Sequence, residues 1–307
     1  MKKNKFLYSF DSPEIGEIVY TEYNTAPAIY VDKKNVLIKP KPLVKCPDNI
    51  YHYCNKTGFE GIIKTNSLWL STLRKTNDNL EIIYFYQRFK QYIKSQRYNL
   101  QELSKVTFLD KTFRLNLQNA FSTSFTTLKD ISWQWNEYGD KNKGFVIGFS
   151  SEKLTSEYSL PERTGLIIKK PSLLKVDYNE KSHKNILKII IADCLKNKID
   201  IIDAALYFAK IACLCKTPKW CNEQEWRLLH FPLMLPEIET SLYTDKSNLT
   251  KIDSYKYAYK IPFGSINEII IGSKNPMTVE TVKKFLNIYY REEEISKIKI
   301  YRSRNHF

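Results

Sequence analysis

The chain has no two cysteines in the C-x-x-C spacing, although it holds Cys46, Cys54, Cys194, Cys213, Cys215 and Cys221. Only four histidines are present to complete a ligand set, so a structural zinc site is not supported and no metal is expected. Neither G-x-G-x-x-G nor G-x-x-x-x-G-K-[ST] occurs, which sets aside a Rossmann or P-loop fold. No serine stands in a G-x-S-x-G elbow and no cysteine stands out as a nucleophile, so a nucleophilic triad lacks support. No pair of histidines is placed for the acid–base work of a metal-independent nuclease. Long apolar runs are missing too. The most apolar region, 186–215, is broken repeatedly by Lys and Asp, so no membrane span is expected. The opening MKKNKFLYSFDSPE carries basic residues with no long apolar stretch behind them, unlike a secretory signal. A reducing cytoplasm suits these features best. No internal repeat is visible.

What is present is a chain with enough apolar residues (43%, with 14% aromatic) to build a core, which speaks against global disorder. Its 307 residues suit one large domain or two small ones. Lys and Arg number 48 against 33 acidic residues, a formal charge of +15 that favours polyanionic partners. A bland reading stands beside it: heavy use of Lys, Ile, Asn and Tyr can reflect coding composition alone.

Residues 1–48 differ in texture from the rest. Pro13, Pro27, Pro40, Pro42 and Pro47 punctuate strand-like runs at EIVYTEY and AIYVDKKNVLI, and a stiff segment Lys39-Pro-Lys-Pro-Leu43 closes the stretch. This reads as an N-terminal appendage, with a hairpin as one form it can take, before a domain over 49–307. From Ile50 short strands are expected at IYHYC, SLWLST, AFSTSFT, GFVIGFS, LLKVDY, EWRLLHFP, YKYAYKIP, INEIIIGS and KIKIYRS. A helix is expected through GFEGIIKTN, ending at Asn66, and a long one after the capping residues Asn77 and Asp78. One or two more fall within 185–216 and another over 278–290. The aromatics Tyr84, Phe85, Phe89 and Tyr92 read as packing. Strands and helices do not alternate strictly, so the expected class is α+β and not a doubly wound parallel sheet.

Three short patterns could carry chemistry. In Cys221-Asn-Glu-Gln-Glu-Trp-Arg227, a strand would place Glu223 and Glu225 on one face about 7 Å apart. Two like charges so placed either face a cationic ligand, shift a pKa, or lie solvated on an edge beside Arg227. In Phe121-Ser-Thr-Ser-Phe125, Ser122 and Ser124 share one face and Thr123 takes the other. Hydroxyls flanked by aromatics suit a flat ring and a ribose, and equally suit an exposed polar strand face. His52, between Tyr51 and Tyr53, reads alone as a structural residue.

In chain order these give His on an early strand, Ser-Thr-Ser on a middle one and Glu-x-Glu on a late one. The pattern resembles the ADP-ribosyltransferase superfamily. A broader resemblance is to a bacterial family known as domain of unknown function 2971. Tyr51-His-Tyr, Gly61-Ile-Ile, Leu68-Trp-Leu-Ser71, Asn77-Asp78 through Glu81 and Phe121-Ser122 carry it. So do Trp135-x-x-Tyr138, Lys143-Gly-Phe-Val-Ile-Gly-Phe149, Trp220-x-x-Glu-x-Glu-Trp-Arg227 and Ile266-x-Glu-Ile-Ile-Ile-Gly272, over about residues 50–303. Capping of the long helix explains Asn77, Asp78 and Glu81 nearly as well.

The resemblance implies an ADP-ribosyltransferase-like fold of mixed and antiparallel sheets with inserted helices, NAD as co-substrate, and a phage-defence or toxin setting. Glu225 would stabilise the oxocarbenium-like state and Glu223 would orient or deprotonate the acceptor. His52 would hold a ribose hydroxyl. Ser122, Thr123 and Ser124 would shape the NAD pocket, and Tyr53, Trp69 or Tyr138 would stack on nicotinamide. RNA or DNA is the favoured acceptor on charge, with a protein acceptor also open. A cognate antitoxin or regulator is a further partner, and no membrane is expected. The sequence departs from either standard pattern by combining the histidine of one branch with the S-T-S and E-x-E of the other. The competing class is an inactive nucleic-acid- or partner-binding module, such as an antitoxin or sensor. Trp133, Trp135 and Trp226 read as core.

Overall fold

A computed structural model of the chain describes residues 6–12, 16–21, 46–73, 80–117, 120–156, 172–198, 200–230, 249–253 and 255–305. In chain order the strands are β1 (Phe6–Ser12), β2 (Gly16–Thr21), β3 (Asn49–Cys54), β4 (Ser67–Thr72), β5 (Phe121–Thr126), β6 (Phe145–Ser150), β7 (Ser172–Lys175), β8 (Glu225–His230), β9 (Leu249–Asp253), β10 (Lys256–Lys260), β11 (Ile266–Ile271) and β12 (Lys299–Arg302). The helices are α1 (Lys56–Thr65), α2 (Leu80–Ser95), α3 (Leu100–Leu117), α4 (Ser132–Glu137), α5 (Ser151–Ser156), α6 (Glu180–Leu195), α7 (Ile201–Ala212), α8 (Val279–Leu286) and α9 (Glu292–Ile295). A 3-10 turn spans Pro218–Glu223. The architecture is α+β, as expected.

The chain divides into two compact units. One comprises 1–45, 72–120 and 175–222 and holds the hairpin β1–β2 with α2, α3, α6 and α7. The expected run AIYVDKKNVLI, the proline segment 39–43 and the capping residues Asn77 and Asp78 lie outside the described residues. In the helical part, Phe85, Phe89, Phe113 and Phe208 are fully buried and pack ring to ring. Asn99 and Glu102 exchange hydrogen bonds, each accepting from the other's backbone N–H, and so close the start of α3.

No periodicity in the sequence marks α3, and its composition shows why. Val106, Leu109, Phe113 and Leu117 face the core. Leu100, Leu103, Phe108 and Leu115 lie exposed. A helix with apolar residues on opposite sides has little amphipathic contrast to detect.

The other unit comprises 46–71, 121–174 and 223–307. It carries a mixed sheet in the order β12-β11-β6-β3-β5-β4-β10-β9, with β8 beside β5 and β7 beside β8. β11 and β12 are parallel, whereas β11–β6, β6–β3, β3–β5 and β5–β8 are antiparallel. Helix α1 starts at Asn55, whose side chain accepts from the Gly58 N–H, and stops at Asn66, which adopts the left-handed conformation (φ 46°). Its buried face of Phe59, Ile62 and Ile63 includes a ring stacked on Phe145 of β6 at 4.0 Å.

The turn into β6 runs so close to β3 that only glycine fits at 144. A Cβ there would lie 2.2 Å from the Cys54 carbonyl oxygen. Because the obstacle is backbone, Gly144→Ala is expected to cost about 1–3 kcal/mol or more, read as a lower midpoint in urea denaturation. A wild-type midpoint would show that the two strands can separate freely.

Candidate functional site

The site is built on β3, β5 and β8, which carry the three patterns read from the sequence. β5 lies between the other two. Residues 121–126 of β5 pair with 230–225 of β8 along their full length, while β3 joins β5 through Tyr51 opposite Thr126. Residues some 70 to 170 positions apart along the chain thereby become neighbours.

The Glu-x-Glu motif departs from expectation. Glu223 and Glu225 do not share a strand face. Glu223 ends the 3-10 turn, Gln224 takes a left-handed backbone (φ 45°), and only Glu225 enters β8. The left-handed residue breaks the two-residue alternation on which the expected pairing of the acids relied. Nor is the segment an exposed edge: both acids are buried, and so is every residue of β8.

The turn is held in place by side chains. The Glu223 carbonyl accepts from Thr126 Oγ1 (2.7 Å) and from Gln134 Nε2 (3.3 Å). Tyr138 Oη donates to Glu223 Oε1 at 2.7 Å. Thr127 Oγ1 donates to Gln224 Oε1 at 2.6 Å.

Glu225 meets Arg227 two residues on, on the same face of β8. Arg227 Nε donates to Glu225 Oε1 at 2.7 Å and its Nη2 to Oε2 at 3.1 Å. Arg227 is only 2% exposed. The fork-to-fork geometry suits a guanidinium and a carboxylate removed from water together.

Strand register assigns the remaining residues. Thr126 faces Glu225, Ser124 faces Arg227 and Ser122 faces Leu229, so both serines lie on the face of Glu225. Ser122 is buried and Ser124 exposed, while Thr123, on the opposite face, is buried. His52 also belongs to that opposite face, its ring 5.8 Å from Phe125 in an edge contact. It reaches β5 through the backbone: Nδ1 lies 2.9 Å from the Ser124 carbonyl oxygen. A carbonyl only accepts, so Nδ1 carries the proton in the neutral ring and Nε2 is left as an acceptor.

Burial lowers the His52 pKa from its ordinary value, partly offset by the bond to Ser124. A lowered folded-state pKa means the unfolded chain binds the proton more readily, so this contribution to stability is present above about pH 6.5 and is lost as pH falls below it. His52→Gln is accordingly expected to flatten the decline in unfolding temperature between pH 7.5 and 5.5. An equally steep decline in the variant would exclude His52 as its source.

The aromatics are placed differently from one another. Tyr53 is buried: its hydroxyl donates to the Leu128 carbonyl (3.2 Å) and accepts from the Ile131 N–H (3.1 Å), and its ring meets Trp135 edge-on at 5.3 Å. Tyr138, at the end of α4, is half exposed above Glu223. Trp69 lies on the solvent face of β4, beside Ala258 of β10. Trp135 and Trp226 are core, as expected.

A further buried acid, Glu268, shares the sheet face of Glu225. Lys299, Glu268, Gly148, Tyr51, Thr126 and Glu225 follow one another in direct register across six strands and share one face. Glu268 is buried; its Oε1 accepts from Lys129 Nζ (2.7 Å) and Tyr301 Oη (3.0 Å). Burial, with the charge of Glu268 next, raises the Tyr51 pKa, and burial takes that of Tyr301 up to about 12. The signal available was one acid inside the apolar run INEIII.

Fold and site together define an α+β protein with a buried carboxylate–guanidinium pair at the head of a central strand. The model of a family described as "Protein of unknown function (DUF2971)" matches residues 134–228. That stretch runs from α4 into β8 and takes in Tyr138, Glu223 and Glu225, though not His52 or Ser122–Ser124. It supports the family resemblance read from the sequence there. No curated protein and no solved structure matches the chain. Among the described residues no group of His, Cys, Asp and Glu could hold a metal ion, and no helix is long and apolar enough to cross a membrane.

Proposed function

We propose that the chain is an NAD-dependent ADP-ribosyltransferase of the toxin or defence type, with nucleic acid as its acceptor. The carrying observation is that β3, β5 and β8, the three strands bearing the His, Ser-Thr-Ser and Glu-x-Glu patterns, stand side by side. On the face of Glu225 the exposed hydroxyl of Ser124 and the Glu225 carboxylate suit a ribose, while His52, on the opposite face, holds β5 through the Ser124 carbonyl. Glu225 is the carboxylate that stabilises positive charge developing at the ribose C1′ as the bond to nicotinamide breaks. Nicotinamide leaves neutral with the bonding pair. The acceptor's oxygen or nitrogen forms the new bond to C1′, and its proton passes to Glu223, which Tyr138 orients, or to water. The charge of +15 favours a polyanionic acceptor.

The test is nicotinamide release from NAD, followed by chromatography, beside calorimetric titration of NAD into the protein. Release above a protein-free blank is expected. A folded protein that neither binds NAD nor releases nicotinamide would sink the reading.

One observation favours a second reading, an inactive binding module: Arg227 engages both oxygens of Glu225, a pairing complete without any ligand. That reading predicts nucleic-acid affinity with steep salt dependence, indifferent to Glu225→Gln, and no turnover of NAD.

A further inference from the structure

The paired strands β4 and β10 bury one face and open the other. Alternation turns Leu68, Leu70, Tyr257 and Tyr259 inward, where all are almost fully buried. It turns Trp69 outward, 47% exposed, directly opposite Ala258. Lys256 and Lys260 flank Ala258 on the same face, opposite Ser71 and Ser67. The Lys256 ammonium sits 4.4 Å from the centroid of the Trp69 ring.

With alanine as its cross-strand neighbour and serines beside it along β4, the half-exposed indole forms a flat platform over which Lys256 reaches. The lysines stand at either end of that platform, about 13 Å apart along β10 at ordinary strand rise.

We propose that this face binds single-stranded nucleic acid, a base stacking on Trp69 and phosphates lying against Lys260 and Lys256. This rests on the transferase reading only for the acceptor class, and it adds where the acceptor docks. The chemistry selects the occupant. Cations on both sides of the ring suit a polyanion, and an exposed indole face suits an unpaired base, whose π-face a duplex keeps hidden. Lys256 over the ring places a cation at the platform itself, where the phosphate next to a stacked base would lie.

The test uses fluorescently labelled dT12, rU12 and a 12-base-pair duplex, with binding followed by anisotropy across a salt series without NAD. Single strands are expected to bind more tightly than the duplex. Trp69→Ala should weaken single-strand binding roughly tenfold or more, with Trp69→Phe recovering part of the loss. Lys256→Gln with Lys260→Gln should lower the slope of log K against log salt by about 1.4, at roughly 0.7 per phosphate contact. Melting curves confirm that the variants are folded, which half-exposed positions favour. Wild-type affinity in both Trp69→Ala and the double lysine variant would overturn the proposal, as would no single-strand binding at low salt. Oligonucleotide binding lost in Trp69→Ala, from a wild type that releases no nicotinamide, would end the transferase reading and leave this surface standing. Nicotinamide release from a wild type that binds no oligonucleotide would do the reverse.

Discussion

Glu225→Gln is expected to lower nicotinamide release from NAD by on the order of a hundredfold or more, the scale seen when one transition-state-stabilising group is removed. The substitution keeps shape and hydrogen-bonding capacity while removing the charge that would face the developing oxocarbenium. Arg227 can still donate to the amide oxygen but loses the opposing charge, so a melting curve accompanies the assay to show that the variant is folded. Glu223→Gln is the contrast: its carbonyl, not its carboxylate, ties the turn to Thr126 and Gln134. Under the proposed roles it should lower transfer to an acceptor more than it lowers hydrolysis of NAD, where water is the nucleophile. Equal rates in wild type and Glu225→Gln would remove Glu225 from the chemistry.

Arg227→Met carries the largest expected effect on stability. It leaves the Glu225 carboxylate buried at the head of β8 without its guanidinium partner. Breaking a buried pair in this way costs ~3–5 kcal/mol, a large fraction of the ~5–15 kcal/mol that holds a typical protein folded. The double variant Glu225→Leu with Arg227→Met removes both charges and should recover much of the loss, since well-packed apolar residues can replace a buried ion pair. Urea denaturation followed by far-UV circular dichroism checks both. A single variant as unstable as the double, or one with wild-type stability, would show that the pair is not held as described.

Local elements were largely legible in the sequence, because local rules decide them. Alternation marked β5, aromatic and apolar runs marked β3 and β6, and the stop of α1 at Asn66 followed from a residue that tolerates a left-handed backbone. Two local features escaped for physical reasons. Helix α3 is apolar on opposite sides, so its period was masked. Gln224 adopts a positive φ, which glutamine rarely does, and nothing in Asn-Glu-Gln-Glu-Trp announces it; the tie from Thr127 holds it there. That one residue separates Glu223 from Glu225. What no local rule could supply was register. Only the long-range pairing of β5 with β3 and β8 places Arg227 beside Ser124, and turns His52 to the face opposite Glu225. Glu268 became visible as part of that row only when six strands were aligned.

The most direct test of the central claim is transfer of label from NAD carrying it on the adenylate part, offered to the purified protein with RNA, DNA or cell lysate. Label on nucleic acid is expected with wild type and none with Glu225→Gln. No transfer to any acceptor and no free nicotinamide from folded wild type would contradict it, and would leave the paired Glu225 and Arg227 as the framework of a binding module.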